Sequence, residues 1–187
     1  SNKNVRSRLM GIPTLISTAT ASNASSVDIT SGIDSTYDEY MFVFTDITPA
    51  TNETSFGFQV NATDGADYND SAITSTLFMA YHQEDDGAAA LTYQAGYDQA
   101  QGTAYQPLCI SIANDADAGA AGELHLFNPA STTYVKHFYS RFQVTESSRA
   151  DDAFVAGYIN DTTAIDDISF KMTSGNFDGT IKMWGVK

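Results

Sequence analysis

The sequence predicts an all-β protein: an antiparallel β-sandwich, jelly-roll-like, preceded by a short extended N-terminal arm. Three observations lead there. Apolar residues recur at every second position, as in Ile168, Phe170 and Met172 against Ser169, Lys171 and Thr173, the period of a strand with one buried face. No segment carries three helical turns of i, i+3, i+4 apolar spacing. Some ten short runs are separated by polar turn residues, the spacing of a sandwich or jelly roll and not of parallel βαβ units.

Residues 1–13 read as arm and hinge, with Gly11-Ile12-Pro13 as the joint, and residues 14–187 as one sandwich domain. At 187 residues an undivided all-β domain is ordinary. The first strands are expected over 15–21 and 26–30. Over 38–47, Tyr40, Phe42 and Phe44 share one face and Met41 and Val43 the other, which predicts a strand covered on both sides. Over 54–62 the alternation predicts Phe56, Phe58 and Val60 inward and Gly57, Gln59 and Asn61 outward. Further strands are expected over 74–82, 105–113, around Leu124 and Leu126, over 134–145 and over 154–160. The closing hairpin turns at Gly-Asn-Phe-Asp-Gly, and Ile181 and Met183 alternate with Thr180 and Lys182. The Ala-rich stretches 86–90 and 115–121 hold Gly beside Asp and read as loops.

Hydrophobic residues make up 42% and aromatics 12%, which provides for a core and argues against disorder. A net charge of −14 and a pI near 4.2 argue against nucleic acid or an anionic membrane as partner of the body. The apolar runs fall far short of the roughly 20 residues that span a bilayer as a helix. Three of the nine basic residues, Lys3, Arg6 and Arg8, lie within the first eight positions. They suit a solvated terminus or an anchoring arm that docks on an acidic neighbour.

Catalytic chemistry is hard to place. The three histidines, His82, His125 and His137, lack ligand spacing, and His125 is expected on the wetter face of its strand. Cys109 sits inside an apolar run and reads as a small hydrophobe. Gly-x-Ser-x-Gly and Gly-Lys-Ser/Thr motifs are missing from the sequence, and the carboxylates cluster in turn-like groups. No catalytic residue and no cofactor are assigned. Calcium is the chemistry these turns come nearest to: Asn114-Asp115-Ala-Asp117-Ala-Gly119 opens like a calcium loop, yet its twelfth position from Asp115 is Leu126. The group Asp64, Asp67 and Asp70 is a looser candidate. Tyr93 and Tyr97 fall near loops, where rings can stack on sugars or on a neighbouring subunit.

Three stretches carry a resemblance. Ile29-Thr-Ser-Gly-Ile-Asp-Ser-Thr-Tyr-Asp-Glu-Tyr-Met-Phe-Val-Phe-Thr-Asp-Ile47 resembles the entry strand of small virion proteins of tailed bacteriophages. His125-Leu-Phe-Asn-Pro-Ala-Ser131 resembles their middle strand and turn. Ser174-Gly-Asn-Phe-Asp-Gly-Thr-Ile-Lys-Met-Trp-Gly-Val186 is similar to their closing pattern, with Trp184 where that pattern has Tyr. The resemblance implies a structural, non-enzymatic role on the virion surface, as a capsid-decoration, head-fibre or tail-fibre component, often trimeric. It implies other capsid or tail proteins as partners, and the basic arm with Lys3, Arg6 and Arg8, read from the charge distribution as a virion anchor, agrees with it. The alternative is a carbohydrate- or host-receptor-binding module of a tail fibre, with Tyr93 and Tyr97 in contact with a host-surface glycan.

Overall fold

The computed structural model describes residues 11–62, 67–69 and 71–187. Among them are thirteen strands and no helix. In chain order these are β1 (Thr14–Ala24), β2 (Val27–Ile29), β3 (Glu39–Pro49), β4 (Thr54–Ala62), β5 (Ile73–Gln83), β6 (Ala89–Tyr93) and β7 (Ala100–Gly102). There follow β8 (Gln106–Ile112), β9 (Ala120–Phe127), β10 (Lys136–Glu146), β11 (Arg149–Ile159), β12 (Ile165–Met172) and β13 (Phe177–Val186).

They form two antiparallel sheets packed face to face. The large sheet runs β1-β13-β3-β9-β10-β11-β5-β6, with β7 also paired to β5; the small sheet runs β2-β12-β4-β8. The chain changes sheet at most of its connections, the roll-like connectivity the turn spacing predicts. Between the sheets lies one apolar cluster. At its centre Phe44 packs on Phe56, Phe142 and Phe170 at ring separations of 5.1–5.6 Å, and Phe58 meets Phe138 at 5.0 Å. Each ring is supplied by period-two alternation from its own strand. Aromatic pairs at such separations add about 0.5–1.5 kcal/mol each beyond the area they bury.

Several expectations need correction. The nine residues of β4 are all buried, so Gly57, Gln59 and Asn61 do not face water. The segment before β5 and the one leading into β8 lie over this side: Gln59 Nε2 donates to the carbonyls of Ser71, Thr103 and Ala104. A Cβ on Gly57 would stand 2.7 Å from the Gln106 carbonyl oxygen. The 86–90 stretch is not all loop, because Ala89 and Ala90 open β6, which pairs along β5 at the sheet edge. Ala120 and Ala121 likewise belong to β9. The strand expected from 154 begins at Arg149, since β10 and β11 form one continuous hairpin from Lys136↔Ile159 to Glu146↔Arg149.

The glycines of the closing hairpin have physical work to do. Gly179 lies at φ +147°, where its Cβ would meet Ile47 Cδ1 at 2.6 Å and the Asp46 carbonyl at 2.9 Å. It forms a bulge in β13 opposite a second bulge in β3, where Asp46 is at φ 54°. Such bulges bend a strand and sharpen its twist. At Gly185 a Cβ would stand 2.4 Å from the Tyr37 ring, which packs edge-on against Tyr40 at 5.9 Å.

Candidate functional site

The outer face of the large sheet is the most distinctive surface among the described residues. In β3, Tyr40, Phe42 and Phe44 point to the core at 0–1% exposure, so Met41 and Val43 point away from it. In β13, Ile181 and Met183 point inward and Lys182 and Trp184 outward. In β9, Leu124 and Leu126 are buried in the core, which turns Glu123, His125 and Phe127 outward. The expectation that β3 is covered on both sides therefore holds on one side only: Met41 and Val43 are half-buried, and no second layer lies over them among the described residues.

Strand register joins these side chains into rows. Leu15, Trp184, Met41, His125 and Tyr139 stand opposite one another across β1, β13, β3, β9 and β10. The neighbouring row runs Lys182, Val43, Glu123, Arg141, Phe154, Phe78 and Tyr93. β13, β3 and β9, the three strands that carry the sequence resemblance, are thus adjacent in the sheet, although they are far apart in the chain.

Charged and polar side chains on this face contact one another. Arg141 grips Asp152 with two bonds of 3.0 and 2.7 Å and lies 4.9 Å over the Phe154 ring, which stacks on Phe78 at 5.1 Å. His125 is on the outward face, as its strand parity predicts, but at 9% exposure it is buried and not wet. It stacks on Tyr139 at 4.5 Å, its Nδ1 meets Glu39 Oε1, and its Nε2 is 3.6 Å from Glu123 Oε1. Burial, with the nearby charges of Glu39 and Glu123, raises the Tyr139 hydroxyl pKa.

Two hollows open on the face. A groove of about 720 Å³ crosses β3, β9, β10, β11 and β5, with small residues such as Ala80, Ala121 and Ala150 between Glu123, Arg141, Gln143 and His82. A second, of about 400 Å³, is lined by Pro13, Met41, Val43, Thr45, Lys182 and Trp184.

The other candidate residues are scattered. Lys3, Arg6 and Arg8 lie outside the described residues, as do Asp64 and Asp70. Asp117 shares a shallow hollow with Asp46, while the Asp115 carbonyl accepts the Ala118 amide in a tight turn. Among the described residues no group of three or more His, Cys, Asp or Glu is placed to hold a metal ion. Tyr93 is 56% exposed on edge strand β6 and donates its hydroxyl to Asp98. Tyr97 stands in the following turn, its amide bonded to the Gln94 carbonyl at 3.0 Å. The two tyrosines share no described hollow. Cys109 is buried, and burial pushes its thiol pKa up, which leaves it protonated and a poor nucleophile.

Two polar features escape the sequence reading. Lys136 is fully buried, and its Nζ donates to the carbonyls of Asp161, at 3.0 Å, and Thr163; burial lowers its pKa. On the outer face of the small sheet, Tyr105 donates to Ser169 Oγ at 2.9 Å, and Ser169 donates to Asp28. Lys171 Nζ sits 3.9 Å over the Tyr105 ring. The strand pattern marks Lys136 only by its parity with Phe138 and Phe142; nothing marks the Tyr105–Ser169–Asp28 chain, which joins residues 141 positions apart.

No family model, curated protein or solved structure matches the chain.

Proposed function

We propose that the chain is a non-enzymatic structural protein of the tailed-phage virion surface, a capsid-decoration or short fibre component. It self-associates through the sandwich and docks on the particle through residues 1–10. The observation that carries this reading is the use made of the three resembling stretches. They come together as β13, β3 and β9, and their characteristic residues are spent on bulges, ring packing and an exposed apolar face. Gly179 and Gly185 serve backbone geometry, and Phe42, Phe44 and Phe177 serve the core. A net charge of −14 supports a body that stays hydrated when displayed in many copies, with Lys3, Arg6 and Arg8 as the contrasting anchor.

Deletion of residues 1–10 tests the reading. The truncated protein is expected to fold with an unchanged β-type circular dichroism spectrum and to be missing from purified particles. Truncated protein that enters particles at the wild-type level would refute the anchoring role.

A further inference from the structure

We propose that the outer face of β13, β3 and β9 is where one copy of the chain packs on a second copy. The inference rests on the self-association in the reading above and names the surface that carries it.

The sequence of β3 is apolar on both sides, and the described residues cover only one. Met41 and Val43 stand with Trp184 between Leu15, 47% exposed, and Tyr139, 44% exposed. An apolar band this broad is uncommon on a surface that meets only water. The occupant is indicated by charge. Two bodies of −14 repel wherever their carboxylates face each other, yet the middle of this face sets Arg141 and Lys182 close to Asp152, Glu123 and Glu39, so that fixed charges of the two signs nearly balance. Asp152 is held by Arg141, and Glu39 and Glu123 flank His125. Lys182 adds a positive charge beside Val43. It is therefore a surface on which a second equally acidic chain can settle without facing a field of like charge. A basic partner would gain little here, because Arg141 and Lys182 already stand among these acids.

Size agrees. With the flanking strands included, the outer face of the whole path from β1 to β6, seven spacings of about 4.8 Å by some six residues of strand length, covers roughly 700 Å², near the ~800 Å² that each partner contributes to a standard interface. Sheets packed face to face lie about 10 Å apart, with their side chains interdigitated. The 400 Å³ hollow beside Trp184 gives a projecting side chain of the other copy somewhere to go.

Trp184 is the chain's one tryptophan, so its fluorescence reports on this face without a label. Sedimentation and acrylamide quenching are measured together over a dilution series of the full chain. The expected result is an associated species at high concentration with Trp184 shielded, and both signals lost at the same dilution. Added salt screens the net repulsion and is expected to strengthen association. In Val43→Lys, association weakens by at least about tenfold, with the β-type spectrum retained. The dilution series on unaltered protein decides the matter if that variant fails to fold. Association with Trp184 still open to quencher would overturn the choice of face while leaving self-association standing. A monomer with open Trp184 at every concentration would overturn both. A shielded Trp184 in a monomer, opened by removal of residues 1–10, would also overturn the proposal and assign the face to the chain's own arm.

Discussion

At the scale of single residues, the closing motif is written by steric need. Gly179 has both a positive φ and neighbours that exclude a Cβ, namely Ile47 and the Asp46 carbonyl. Gly179→Ala is expected to cost about 1–3 kcal/mol, roughly 3–10 °C in Tm for a chain of this length. Gly96→Ala is the control: its Cβ would meet nothing within 4 Å, and its Tm should hardly move. Equal melting of the two variants would remove the steric account of the motif. Motif glycines were recognisable from the sequence as a pattern, but their reason was not, because Tyr37, Asp46 and Ile47 reach them only after the strands pair. Lys136 is the reverse case. Its alternation with Phe138 and Phe142 marks it as inward-facing, while chemistry argues that a lysine should be outside; the carbonyls of Asp161 and Thr163 resolve the conflict.

At the scale of elements, the strands with clean alternation on one face were readable, and those whose second face depends on another segment were not. Period-two patterns set β3, β10, β12 and β13 to within a few residues. For β4 the same pattern misplaces Gln59, because the covering carbonyls come from loops 12 to 45 positions away. β6 and β7 lack any strong pattern, being short edge strands with exposed side chains. On the small sheet, burial and then the neighbouring Asp166 raise the Asp167 carboxyl above its ordinary 3.8. A raised carboxyl pKa means that the folded chain binds the proton more tightly than the unfolded one. Ionisation of Asp167 therefore costs stability as pH rises through and above 3.8. Asp167→Asn is expected to raise the Tm at about pH 7, and to lose that advantage once the pH falls below 3.8. A variant that melts lower than wild type at neutral pH would contradict the assigned cause.

At the scale of the whole molecule, the two-sheet architecture was legible from turn spacing and the lack of helical periodicity, whereas the order of strands was not. Nothing local in residues 29–47, 125–131 and 174–186 says that they will lie side by side. That adjacency arises from crossings between the sheets, and it sets Trp184, Met41 and His125 in one row. The candidate surface could be anticipated in part, from the apolar pair Met41 and Val43; the sequence suggested an internal cover where the described residues leave an open face. An acidic body, an apolar outer face and a basic N-terminal segment are the three features on which the proposed assembly role rests. The most direct check is quantitative peptide counting in purified phage particles that encode this chain. The account predicts a fixed copy number per particle that survives washing in high salt. Particles without the chain, and with all of it left in the soluble lysate, would contradict the account.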